Sequence, residues 1–378
     1  MGEILFLAHR LPYPPDRGDR IRSWHVLKAL AKIAPVHVCA LIDDEEDRAH
    51  VAMVESVAAS VTVLHRRKAK FMAVAEALAT GRSASVAAFV NQQLMAAVAS
   101  RLPLVDTVYA FSSQMAAYVP NDFHGRFVMD FVDMDSAKFA VMGFSGRQEA
   151  KRLLAWEIAT AKRADVSLFV SDAEAALFTQ QTGLPAVVMG NGIDLDYFAP
   201  DVVPAAEIQQ PLIVFTGQMD YAPNVEAVTS FAQDTLPTIQ SVIPDAIFAI
   251  VGRAPTAAVR AVARPSVVVT GEVPDTRPWL AAAAVVVAPL RIARGVQNKI
   301  LEAMAMGKAC VVSPDAAQGI DAVDGRDLMV AADPTNAVIA LLGDPARASA
   351  MGAAARERMM QSYSWNVQLS PLAGFVGR

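Results

Sequence analysis

Short apolar runs of strand length alternate with stretches whose apolar positions recur every three or four residues, and this alternation holds along most of the chain. The run Ile4 to Ala8 predicts a buried strand. It empties into a proline- and arginine-rich loop, His9 to Arg22, containing PPDRGDRIR. Ser23 to Lys32 then predicts a helix with Trp24, Leu27 and Ala31 on one face, and Val36 to Ile42 the next strand. Asp106 to Ala110, Phe127 to Val132, Val166 to Val170 and Ala186 to Met189 predict further strands of the same sheet. After the turn Asn191-Gly192-Ile193-Asp194 and a connector bearing prolines, Pro200 to Pro211, the pattern restarts. Strands are expected at Leu212 to Thr216, Ala246 to Val251, Val267 to Thr270 and Val285 to Ala288, with a helix over Val225 to Phe231. Alternating strands and helices mean an α/β chain with parallel sheets, and the restart places a boundary near residue 190.

Within the second half, Ala288 to Pro314 (APLRIARGVQNKILEAMAMGKACVVSP) is the most informative stretch. A valine-rich strand breaks into a cationic loop with Arg291, Arg294 and Gly295. From Asn298 the period turns helical, with Ile300, Leu301, Met304 and Ala305 on one face and Gly307 as the stop. A strand follows at Cys310 to Ser313. Such units bind ligands at the carboxyl ends of their strands, and the N–H groups at a helix start favour an anion. With Arg291, Arg294 and Lys299 nearby and Glu302 one turn further in, this is a candidate phosphate site with an acid beside it. Neither GxGxxG nor GxxxxGK[ST] is present, so a dinucleotide fingerprint and a P-loop are both absent.

Composition narrows the classes. A chain of 378 residues with 54% hydrophobic and 19% charged residues is globular, and long enough for two domains. Its net charge of −5 offers no pull toward nucleic acid. The two cysteines, Cys39 and Cys310, lie in separate apolar runs, which fits a reduced, cytoplasmic setting better than a disulfide framework. The N-terminus carries no signal-peptide pattern, and no apolar run reaches the length of a spanning helix.

Several clusters carry candidate chemistry. In the first loop, Gly18 would let the backbone approach a ligand, and Arg17, Arg20 and Arg22 could reach phosphate or acidic lipid. His65 to Phe71, HRRKAKF, precedes a helical stretch to Leu78 and keeps open a peripheral contact with an anionic membrane at the inner face of the plasma membrane. In FVMDFVDMDS, Asp130, Asp133 and Asp135 lie at a strand end. Asp133-Met-Asp135 has the DxD form of some metal-dependent sugar transferases, but hard-cation sites need more converging oxygens, so no metal is expected. No HExxH, CxxC or GxSxG occurs, which disfavours a zinc site and a serine hydrolase.

Taken together, PPDRGDR, NGIDLDYF and GVQNKILEAMAMGKACVV resemble retaining glycosyltransferases of the GT-B type, similar to glycosyltransferase family four. The longer motifs PYPPDRGDRIRSWHVL, DFVDMDSAKF, FTGQMDYAPN and PLRIARGVQNKILEAMAMGK look like the sugar transferases associated with PEP-CTERM/exosortase exopolysaccharide systems. The resemblance spans nearly the whole chain. It implies two Rossmann-like doubly wound domains facing each other across a cleft: residues 1–190 for the acceptor, 191–358 for the nucleotide-sugar donor, and 359–378 as a helix crossing back to the first domain.

It also implies site roles. Gly18, with Arg17 beside it, would approach the donor diphosphate; Gly295, Val296, Gln297, Asn298 and Lys299 would cradle it from the other side. Glu302 matches the acid that binds the ribose, Val273 falls where the backbone meets the base, and Gly217 opens the first loop of the second domain. Three departures stand out. Arg294 replaces the first glutamate of the family's donor motif. Gln218 and Pro223 replace the usual arginine and lysine after the first strand of the second domain, leaving Arg253, Arg291, Arg294 and Lys299 to supply charge. The family's catalytic histidine is absent, with Asp133 in about its place. The implied activity is hexose transfer, without a cofactor, to a glycan or a lipid-linked acceptor. A GT-B sugar epimerase and a non-catalytic protein organising polysaccharide assembly remain the alternatives.

Overall fold

The computed structural model describes residues 2–66, 77, 81, 83–140, 143–208, 211–293 and 296–378, with the side chains of 143–145 excepted. Arg294, Gly295 and most of the basic stretch after Arg66 therefore lie outside the described residues. The chain divides into two units, Met1–Asn191 with Gln368–Arg378, and Gly192–Val367.

The first unit is built on seven strands: β1 (Ile4–Ala8), β2 (Val36–Ile42), β3 (Ser60–His65), β4 (Thr107–Phe111), β5 (Arg126–Val132), β6 (Val166–Phe169) and β7 (Val187–Val188), in the order 3-2-1-4-5-6-7. Every pairing is parallel. A parallel sheet is covered on both faces, so its central strands are apolar throughout rather than alternating. Thus β1, β2 and β4 are buried at every position. The second unit repeats the plan with β8 (Leu212–Thr216), β9 (Ile247–Val251), β10 (Val267–Gly271), β11 (Val285–Ala288), β12 (Cys310–Val312) and β13 (Met329–Val330), in the order 10-9-8-11-12-13. It too is wholly parallel.

In both sheets the winding reverses beside the first strand, between β1 and β4 and again between β8 and β11. At such a switch point neighbouring crossover helices diverge to opposite faces, which opens a crevice at the strands' carboxyl ends. Each unit is a Rossmann-like domain with its own core. Two Rossmann-like domains in one chain are what the resemblance to the GT-B type implies.

Local details depart from the periodicity. The first helix, α1 (Gly18–Ala31), starts at Gly18 rather than at Ser23, so Arg20 and Arg22 are helical and buried instead of lying in an open loop. The apolar stretch from Trp279 to Leu290, by contrast, follows the sequence reading: a helix end, at Ala282, running into the buried strand β11. The chain end is broken into a π-helical turn over Met359–Tyr363 and two short helices, Trp365–Gln368 and Leu372–Phe375. Among the described residues no helix is long and apolar enough to cross a membrane.

Candidate active site

The carboxyl ends of the central strands carry the unusual backbone of both domains. Among the described residues, three that are not glycine have positive φ: Ser112 (76°) after β4, Val132 (68°) at the end of β5 and Ala254 (55°) after β9. In the second domain Gly217 (φ 156°) follows β8 and Gly252 (φ 149°) follows β9. These glycines lie back to back, and a Cβ on Gly252 would fall 1.7 Å from the Gly217 carbonyl oxygen. Only glycine tolerates so close an approach of two backbones.

Over this edge stands α4, taking α2 as Asp135–Ala140, α3 as Ala222–Ser230 and α4 as Asn298–Ala305. Lys299, in the first turn of α4, donates from Nζ to Asn224 Oδ1 at 2.7 Å and lies 4.2 Å from the centre of the Phe215 ring. The buried Asn224, on α3, donates in turn to the Gln218 carbonyl at 2.9 Å. A Cβ on Gly217 would come within 3.0 Å of the Lys299 ammonium and 2.9 Å of the Asn224 amide. The loop after β8 is thus pinned to the start of α4 by one amide and one lysine.

Glu302 follows Lys299 by three residues, on the same side of the helix. Burial pushes its carboxyl up to about 7, against the pull of Lys299. Burial likewise lowers the Lys299 ammonium to about 8, against the charge of Glu302. Neither group is fully rewarded for its charge by the protein alone. A site that holds an acid and a base in this condition is suited to a ligand carrying complementary groups.

The remaining candidates are less engaged. Arg253 is exposed and donates to Gln218 Oε1 at 3.1 Å. Arg291 is exposed and pairs with Glu226 at 2.9 Å. Val273 and Val296 are half-buried and pack on the core of the second domain. Gln297 precedes α4 in an extended conformation without capping it through its side chain, and Asn298, the first helical residue, is exposed.

In the first domain, Gly18 opens α1 at an exposed position where a Cβ would meet nothing within 4 Å. Arg17 pairs with Asp19 at 3.0 Å. Arg10 approaches the same carboxylate at 2.7 Å and His9 at 3.2 Å. Burial alone would raise Asp19, but the hydrogen bonds and charges of His9 and Arg10 hold its carboxyl well below the usual range.

Arg20 and Arg22 are not phosphate ligands awaiting a partner. Arg20 pairs with Asp47 at 2.6 Å, and Arg22 is buried against Asp130. Asp133 directly follows the left-handed Val132 and pairs with Lys138 Nζ at 2.8 Å, while Asp135 receives the same ammonium at 3.0 Å. Burial alone would lower Lys138, yet the charges of Asp135 and Asp133 raise it. The two acids of the DxD segment therefore share a lysine. Among the described residues no group of three or more histidine, cysteine or acidic side chains is placed to hold a metal ion.

Residues 210–344 match the family model described as "Glycosyl transferases group 1". The second domain carries a glycosyltransferase segment. No curated protein matches it. Among solved structures, Anabaena Alr3699/HepE in complex with UDP shares 15% identity at a TM-score of 0.69, covering 98% of this chain and 98% of that one. Sucrose-phosphate synthase from Thermosynechococcus elongatus shares 17% identity at a TM-score of 0.66, over 99% and 98% of the two chains. A glycosyltransferase from Rickettsia africae shares 12% at 0.64, over 99% and 97%. At such identities the likeness is one of fold. The family match covers β8 to β13 and so includes Gly217, Asn224, Lys299 and Glu302. Asn224 and Phe215 were overlooked from sequence, although Asn224 ends the quoted motif FTGQMDYAPN. The helix expected from Val225 begins at Ala222 instead, which puts Asn224 in its first turn.

Proposed function

We propose that the protein transfers a hexose from a nucleoside-diphosphate sugar to a glycan or lipid-linked acceptor in exopolysaccharide assembly, with retention at the anomeric carbon. The observation that carries this reading is the constellation of Lys299, Asn224, Glu302 and Gly217 at the switch point of the second sheet, inside the segment that matches the family model. The diphosphate would lie over Gly217 and the start of α4, where Lys299 and the helix N–H groups meet negative charge. Glu302 would accept hydrogen bonds from the ribose hydroxyls. HepE, the similar fold, is described in complexes with UDP and with UDP-glucose, which makes uridine nucleotides the first to test.

In this reading the main barrier is departure of the nucleoside diphosphate. Charge accumulates on its oxygens as the glycosidic bond breaks, and preformed donors aimed at those oxygens stabilise that charge more than the ground state. Lys299, Arg291 and Arg294 would supply the positive field, with Arg253 at the rim. Asp133 would stabilise positive charge developing at the anomeric carbon. A peripheral membrane contact through the basic stretch from His65 would suit a lipid-linked acceptor.

The test is release of nucleoside diphosphate from radiolabelled donor sugars, with the anomeric configuration of the product read by NMR. Acceptor-dependent release with retained configuration supports the reading. Conversion of the donor to another sugar nucleotide without acceptor would point to epimerisation instead. No turnover with any donor and acceptor pair would sink the enzymatic proposal.

A further inference from the structure

Beneath the loop that bears Asp133 lies a buried network that the donor site does not use. Arg22, on α1, is 1% exposed and Asp130, on β5, is 0% exposed. The guanidinium donates from Nε to Asp130 Oδ2 at 3.1 Å and from Nη2 to Oδ1 at 3.3 Å, a forked pairing. Its third nitrogen, Nη1, donates to the Gly190 carbonyl at 3.1 Å and to Asn191 Oδ1 at 2.9 Å. These are the last residues of the first unit before the chain passes to the second. Asp130 also accepts from the Tyr109 hydroxyl at 2.7 Å and from the Val132 N–H at 3.2 Å. Donors from α1, β4 and β5 thus converge on one carboxylate.

The backbone just above it is strained. The Asp133 N–H donates to the Phe131 carbonyl at 2.9 Å, closing a three-residue turn with Val132 at its centre. Its φ of 68° makes this the rare form of γ-turn, here imposed on a β-branched residue. The ladder to β6 shifts register at the same place. Strain of this kind persists only where the surroundings over-determine it, and around Val132 they do. Its N–H is held by Asp130, and its carbonyl accepts from Val170 at 2.8 Å.

We propose that Arg22 is a positioning residue for the transfer reaction: through Asp130 it holds the Val132 turn in its strained form, fixes Asp133 against the reacting sugar, and ties that loop to the linker at Gly190 and Asn191. This rests on the reading of Asp133 as a sugar-facing group. A fold-holding role alone predicts that variants lose stability and activity together. Positioning predicts that they separate.

Three variants test this. Val132→Gly loosens the turn without touching the ion pair, since glycine lacks the side chain that restricts the backbone and samples many conformations besides this φ. Tyr109→Phe removes one donor to Asp130 and keeps the shape. Arg22→Lys keeps the charge but cannot form the fork. All three should lower kcat by about tenfold or more, the scale of a catalytic group displaced by a fraction of an ångström. Their KM for donor should be unchanged, and Val132→Gly should melt at or above the wild-type temperature. In an Asp133→Asn background the same changes should have no further effect on kcat, the signature of action through that residue. Wild-type kcat in Val132→Gly and Tyr109→Phe, or an undiminished loss in the Asp133→Asn background, would overturn the positioning role while leaving Asp133 in place. A wild-type rate for Asp133→Asn alone would instead overturn the reading of Asp133, and with it this route.

Discussion

Replacing Glu302 with glutamine removes a charge and keeps a shape, so it isolates what the protein spends to hold an ionised acid in the second domain. Burial raises this carboxyl from 4.5 to about 7 against the attraction of Lys299. A folded-state value above the unfolded one means that the native protein binds the proton more tightly. The resulting stability is fully present below about pH 4.5 and is lost as pH rises through about 7. The whole shift corresponds to about 3 kcal/mol, and water reaching a half-buried carboxylate reduces this to roughly 1–3 kcal/mol at pH 8. In a domain of this size each kcal/mol moves the melting temperature by about 2–4 °C. Glu302→Gln should therefore melt roughly 2–12 °C above the wild type at about pH 8, and the two curves should meet near pH 4. Thermal melts across that pH range, followed by circular dichroism and calorimetry without nucleotide, provide the assay. The same variant should bind donor more weakly, because the acceptor for the ribose hydroxyls loses its charge. A shift of equal size at both ends of the pH range, or a lower melting temperature at pH 8, would refute the reasoning.

Other expectations follow from the same geometry. Gly252→Ala puts a Cβ 1.7 Å from a backbone oxygen, so the strand end must move, and calorimetry should show the second domain destabilised by about 2–4 kcal/mol. Gly217→Ala meets the ends of two side chains instead, 2.9 and 3.0 Å away, at a backbone conformation that alanine rarely adopts. It should weaken donor binding at least about tenfold, measured by titration calorimetry, because it displaces Lys299. Burial raises the Cys39 thiol to about 11 and the Cys310 thiol to about 12, so neither should react with iodoacetamide in the native protein at pH 8. Mass spectrometry should show alkylation only after denaturation.

The fold was legible because a doubly wound sheet writes itself in one dimension. Continuous valine and isoleucine runs such as Ile4 to Ala8 and Val285 to Ala288 signal strands buried on both faces, and the restart at Leu212 signals a second sheet. Lys299 and Glu302 were legible together because three residues on a helix place them on one side. What could not be read was pairing at a distance. Arg22 looks like one more cation in an arginine-rich loop, and its partner Asp130 lies 108 positions further along. Once the two meet, burial is possible and the helix can begin at Gly18. Val132 was equally opaque: a valine after Asp130 and Phe131 predicts one more strand residue, whereas the carboxylate of Asp130 captures its N–H and bends the chain. The role of Asn224 depends on two loops meeting over Gly217, which spacing alone does not encode.

The central claim is that Lys299, placed by Asn224 over the glycine edge of the second sheet, receives the diphosphate of a nucleotide sugar. Isothermal titration of UDP, GDP, ADP and dTDP into the wild type and into Lys299→Met, with and without EDTA, tests it most directly. One nucleotide series should bind the wild type in the presence of EDTA, and Lys299→Met should bind it about ten to a hundred times more weakly, the value of a charge-assisted contact. Equal affinity in the two proteins, or no binding of any nucleotide to the wild type, would contradict the claim.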